Sequence, residues 1–183
     1  MFFSGSRDIL IADFGCADMK FASHLLQEVN QSDQLKGLTF KIFGFDLTSD
    51  DIMVPEDLKA AFHIKTFNGT DVADESSFEE MKNSFDFVIS TCALWGSSDS
   101  WKSTIKNAFQ ILKQNGHFLL AEKRKRLPNQ FDKIENAGVD YNLSCLKIKS
   151  EELKNFRKDF LGLKLTKEDD FDPNELISLI PGR

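Results

Sequence analysis

The segment Asp13-Phe14-Gly15-Cys16-Ala17-Asp18 closes a short apolar run and leads straight into a helix-like stretch. Small residues at the carboxyl end of a first strand let a ligand approach the backbone, beside the switch point where open α/β sheets bind ligands. The turn is not a phosphate loop. It lacks a Lys-Ser/Thr pair and carries only one of the three glycines of a dinucleotide fingerprint. A second apolar run ends in Phe43-Gly44-Phe45-Asp46, which puts a carboxylate where the 2′- and 3′-hydroxyls of a ribose can donate to it. A lone acid after a strand is commonly a loop or cap residue, but beside the 13–18 turn a nucleoside is the better reading. The run Lys123-Arg124-Lys125-Arg126 is the densest basic cluster in the chain. It follows the fifth apolar run on the ligand-facing edge of a sheet and suits phosphate contacts, the alternative being a solvated loop. His24, His63 and His117 stand singly on helix or strand patterns and read as structural.

The elements that must position these residues alternate. Short runs rich in Ile, Val, Leu and Phe fall at 8–14, 39–45, 63–67, 85–91, 116–122, 143–148 and 161–167. Helix-like stretches fall at 19–29, 55–61, 76–84, 100–114, 128–137 and 150–159. That alternation predicts an α/β fold, a parallel sheet covered on both faces. The stretch 100–114 is the clearest helix: Trp101, Ile105, Ala108, Phe109 and Leu112 recur at helical spacing, and Asn115-Gly116 supplies a left-handed stop. One domain over 1–167 is expected, with 168–183 a tail that either docks or frays.

Composition narrows the partners. The 183 residues carry 23 Lys+Arg against 29 Asp+Glu, a net charge of −6, so any nucleic-acid contact must come from a local basic patch and not from the overall field. Cys16, Cys92 and Cys145 are odd in number, far apart and without a C-x-x-C. They argue against a disulfide framework or a zinc site and for a reducing compartment. No metal is expected. No apolar stretch approaches the ~20 residues that span a bilayer, and the start is too short for a signal-peptide apolar region, so the expectation is an intracellular protein without a membrane.

Together the turn at 13–18, Phe45-Asp46-Leu47, the segment Phe85-Asp86-Phe87-Val88-Ile89-Ser90-Thr91-Cys92-Ala93-Leu94-Trp95-Gly96-Ser97 and the stretch from Ala108 to Glu122 resemble a class I S-adenosylmethionine-dependent methyltransferase. More narrowly they resemble the nucleomethylin-like ribosomal-RNA-processing family, nucleolar enzymes that methylate N1 of an adenine in large-subunit rRNA. That family shows a D-F-G-C-G-D turn, an F-D-L strand end, a C-L-S-L-M-G-T segment and an A-E-x-x-S-R-F strand. The resemblance covers roughly Asp8 to Ala137 and the final strand.

It implies a Rossmann-like, seven-stranded, mostly parallel sheet with an antiparallel last strand and helices on both faces. It implies S-adenosyl-L-methionine as cofactor, with Asp13, Gly15, Cys16 and Ala17 under its methionine part, Asp46 and Leu47 at the ribose, and Asn68 near the adenine. Cys92, Ala93, Leu94 and Trp95 would line the wall between cofactor and target base, and Lys123, Arg124, Lys125 and Arg126 would contact RNA. A nuclear or nucleolar protein with RNA and a protein partner is then expected. Two departures stand out: Ala17 replaces the second glycine of the turn, and Asn68 replaces an Asp. With a chain that begins almost on its first strand, they keep open a catalytically inert binding subunit, while a small-molecule or protein methyltransferase is the third reading.

Overall fold

A computed structural model describes residues 8–35, 37–48, 50–91 and 100–123 and two further strands, 144–145 and 160–166. Of residues 91, 100–101 and 121–123 and of those two strands it describes the backbone alone. Among these residues seven strands form one sheet: β1 (Asp8–Phe14), β2 (Thr39–Asp46), β3 (His63–Asn68), β4 (Phe85–Thr91), β5 (Leu112–Lys123), β6 (Ser144–Cys145) and β7 (Phe160–Thr166). Their spatial order is β3-β2-β1-β4-β5-β7-β6. β1 lies parallel to β2 and β4, β2 to β3 and β4 to β5, while β7 runs antiparallel to both β5 and β6. Among the described residues the helices are α1 (Lys20–Gln31), α2 (Glu56–Ala61) and α3 (Ser100–Ile111). The chain reverses order at β1, so the carboxyl ends of β1 and β4 flank the switch point.

Strand alternation sorts the core onto two faces. Ala12, Phe14, Phe45, Val88 and Phe118 point to one side and pack against Ile105, Ala108, Phe109 and Ile111 of α3. Ile11, Ile42 and Ile89 point to the other, against Met19, Ala22 and Leu58. Helices thus cover both faces. Much of the phenylalanine serves the first face: Phe78 lies 5.2 Å from both Phe14 and Phe45, and Phe45 stacks on Phe67 at 4.8 Å.

Two elements differ from their sequence-based expectation. The helix read at 100–114 ends at Ile111, and Leu112 already pairs with Phe85 as the first residue of β5. Residues 113–116 then bulge before His117 pairs with Phe87. Lys113 Nζ is bonded to Asp86 Oδ2 at 2.9 Å, Asn115 takes φ 60°, and a Cβ on Gly116 would lie 2.8 Å from the Lys113 carbonyl. The left-handed stop is therefore real but turns a bulge, not a helix end. The stretch read as a helix at 76–84 is a 3₁₀ segment, Glu75–Met81, capped by Asp74, which accepts from Ser76 N–H. Asn83 at φ 53° then breaks it, and the N–H groups of Asn83 and Ser84 donate to Gln110 and Ile111 at the end of α3. Of the strand read at 143–148, Ser144–Cys145 is described and is a strand, and the rest lies outside the described residues. The helices expected at 128–137 and 150–159, and the tail 168–183, lie outside the described residues.

Candidate functional site

Asp13, Asp46 and Asn68 arrive together because they end or nearly end three neighbouring strands. The register pairs Asp13 with Gly44 and Asp46 with Asn68, and alternation puts all three side chains on the α1 face of the sheet. Asp13 is 2% exposed. Burial first, and then the charge of Asp46, push its carboxyl from 3.8 up to about 7. The buried Cys16 thiol is pushed up to about 12 by burial, with Asp13 and Asp46 adding to the effect.

The turn after β1 is held by hydrogen bonds to β2. The N–H groups of Gly15 and Cys16 both donate to the Phe45 carbonyl, at 2.7 and 3.2 Å, and Ala17 N–H donates to Asp46 Oδ2 at 2.9 Å. Three successive donors are thereby consumed within the protein, which explains physically why this turn cannot cradle a phosphate. Gly15 takes φ 72°, and Ala17 sits at φ 36°, where a Cβ costs of order 1 kcal/mol. The Asp46 acceptor offsets that strain. Met19, also left-handed at φ 57°, opens α1 with its N–H donating to Cys16 O.

The β2 end is also tied to β3. Asp46 Oδ1 accepts from Thr48 N–H at 2.9 Å, the Asp46 carbonyl accepts from Thr70 N–H at 2.9 Å, and the Thr48 carbonyl accepts from Gly69 N–H at 2.6 Å. Asn68 donates from Nδ2 to Asp51 at 3.4 Å, whereas its Oδ1 is buried and without a hydrogen-bond partner. Leu47 is 70% exposed beside it, a large apolar side chain presented at the strand ends.

Sequence reasoning missed two residues here. A Cβ on Gly44 would lie 2.7 Å from Cys16 Sγ, so the strand must lack a side chain for the turn to pack. A glycine inside an apolar strand is the signal that could have shown it. Ser90, paired with Phe14 at the end of β4, is fully buried with an unpartnered Oγ. It is a polar residue in the run 85–91, like Asp86 and Thr91.

Of the other expected residues, Cys92, Ala93, Leu94, Trp95, Arg124, Lys125 and Arg126 lie outside the described residues, and Lys123 is the last residue of β5. His24 and His63 are exposed, and His117 packs on Phe87 at 5.5 Å. Among the described residues no group of three or more His, Cys, Asp or Glu could hold a metal ion, and no helix is long and apolar enough to cross a membrane.

This arrangement has relatives. Ribosomal RNA-processing protein 8 of Arabidopsis thaliana is 28% identical over 138 residues, covering 75% of this chain. The chain spans about a third of that relative, 35% of its length. The fold matches a TehB-like S-adenosylmethionine-dependent methyltransferase of Corynebacterium glutamicum with TM-score 0.54 and 19% identity, over 90% of this chain and 83% of the other. It also matches a 16S rRNA (adenine(1408)-N(1))-methyltransferase of Catenulisporales acidiphilia with TM-score 0.56 and 10% identity, over 91% and 88% of the two chains. The family model described as a methyltransferase domain matches residues 6–162. By that match the chain belongs to the methyltransferase domain family, and its sheet has the fold of the S-adenosylmethionine-dependent methyltransferases it resembles.

Proposed function

We propose that this domain transfers the methyl group of S-adenosylmethionine to RNA, at N1 of an rRNA adenine. Asn68 carries the cofactor half of the reading: a buried carbonyl oxygen without a donor stands one strand from the Asp46 carboxylate. An adenine amino group would complete the first and a ribose diol the second, so the residues present fit the cofactor. Leu47 would lie against the adenine, and Asp13, Gly15, Cys16 and Ala17 beneath the methionine part. Asp13, once ionised, would favour the cationic amino acid end.

The bound cofactor supplies an electrophilic methyl on a sulfonium, transferred to a nucleophilic nitrogen as the carbon–sulfur bond breaks. The protein then needs little acid–base chemistry and must hold the nitrogen in line and close. Cys92, Ala93, Leu94 and Trp95 would form the wall between cofactor and base, with Trp95 stacking on a flipped or single-stranded adenine. Lys123, Arg124, Lys125 and Arg126 would take phosphates. The name of one relative, a ribosomal RNA-processing protein, supports an rRNA substrate; a nucleolar site and a protein partner follow from the family resemblance.

The test is transfer of labelled methyl from S-adenosylmethionine to rRNA fragments, followed by nucleoside digestion. Label in N1-methyladenosine is the expected product, and label in another nucleoside would displace the adenine assignment. The strained Ala17, at φ 36°, favours one other reading, an inert binding subunit. Retained RNA binding with neither cofactor binding nor transfer would select it.

A further inference from the structure

The outer edge of the sheet carries a feature that the strand-end site does not use. A cavity of about 330 Å³ opens where β3 begins, lined by Lys41, Phe43, Lys59, Phe62, His63 and Lys65 among others, none of them acidic. Lys41 pairs with His63 and Phe43 with Lys65 across β2 and β3. Partners in register face the same side, so these four side chains share one face. The short 3₁₀ segment over that face sets Phe78 on Phe14 and Phe45, while Phe43 stays half-buried and His63 and Lys65 are exposed.

In a chain of net charge −6 this is a local concentration of cations. Lys41 is paired with Asp8 and Lys59 with Glu56, both solvent-accessible pairs that a stronger anion can displace. Lys65 Nζ lies 4.6 Å from the Phe67 ring, and among the described residues neither it nor His63 has an acidic partner.

We propose that this cavity binds the phosphodiester backbone of RNA, as a second anchor for the substrate strand; the proposal rests on the RNA reading above. Lysines lining a groove are how the backbone of a single strand is held, the cations tracking its phosphates. A concave site of this size suits a nucleotide, not a flat membrane. Its place fits too: from His63 to Asn68 the strand climbs five residues, roughly 16 Å at about 3.3 Å each. A strand with its target base at the sheet's carboxyl edge would reach the cavity within a few nucleotides.

The test is the variant Lys59→Gln/His63→Gln/Lys65→Gln, which leaves the Lys41–Asp8 pair intact. Anisotropy titrations with a labelled single-stranded rRNA segment over a range of salt should show a Kd raised about fivefold or more, with the slope of log K against log salt flattened by about 1.4, roughly 0.7 for each lysine. Affinity for S-adenosylhomocysteine should not change. An unchanged Kd and slope, in a variant that melts as the parent does, would overturn the proposal and leave the RNA reading standing on the 123–126 run. The same result with new self-association would overturn it in favour of lysines that guard an edge strand against pairing. A parent protein that binds no RNA would overturn both.

Discussion

Cys16 Sγ occupies the position a side chain on Gly44 would need, 2.7 Å from an ideal Cβ there, with Cys16 Cβ at 3.1 Å. Gly44→Ala should therefore push the turn away from β2, destabilising the fold by about 1–3 kcal/mol as an overpacked site does. Weaker S-adenosylhomocysteine binding should accompany it. Adding Cys16→Ala removes the closer contact and should restore part of both losses, a non-additive cycle readable by thermal unfolding and calorimetry. Strict additivity would show that the two residues do not constrain each other.

Ala17 offers the opposite substitution. At φ 36° its Cβ is strained, so Ala17→Gly should stabilise the protein by up to about 1 kcal/mol, less the extra freedom glycine gives the unfolded chain. Cofactor binding should tighten if the Cβ is the obstacle. No gain in either measurement would show that the Asp46 hydrogen bond already compensates the turn.

Asp13 predicts a pH dependence with a definite sign. Its carboxyl, at about 7 in the fold against an ordinary 3.8, keeps a proton that the unfolded chain releases. Stability contributed by that proton is full below about pH 4 and is lost as pH rises to about 7, at most about 1.4 kcal/mol per unit. Asp13→Asn should flatten this slope in urea unfolding and be the more stable form at about pH 8. The same ionisation should make the parent bind cationic S-adenosylmethionine more tightly at about pH 8 than at about pH 6, a difference the Asn variant should lack. A parent with no slope in either measurement would contradict the assignment.

Asp86 separates a backbone role from an ion pair. Its Oδ2 accepts from Leu10 N–H at 3.0 Å and from Lys113 Nζ at 2.9 Å. Asp86→Ala leaves the β1 N–H without its acceptor and should cost about 2 kcal/mol, against about 1 kcal/mol or less for Lys113→Ala. Equal losses in denaturant unfolding would mean that the ion pair carries the whole effect.

The sheet was legible because each central strand is a run of apolar residues buried on both faces, which fixes strand identity without reference to partners. The boundaries were less so. Leu112 keeps helical spacing with Ile105, Ala108 and Phe109, and only its pairing with Phe85 pulls it into β5. Residues 76–84 have no local reason to stop as a 3₁₀ segment, because the carbonyls that capture Asn83 and Ser84 belong to α3, more than twenty-five residues away. At the site, Asp13, Asp46 and Asn68 were readable as polar residues at or near strand ends. Gly44 and Ser90 were not, since their roles come from neighbours on other strands.

The most direct measurement is calorimetric titration of S-adenosylhomocysteine into the parent and the Asp46→Ala protein, with melting curves to establish that both fold. If Asp46 holds the ribose, its loss removes charge-assisted hydrogen bonds worth about 1.5–3 kcal/mol each, and affinity should fall well over tenfold. An unchanged dissociation constant in a folded Asp46→Ala protein, or no binding by the parent, would contradict a nucleoside site at the ends of β1, β2 and β3.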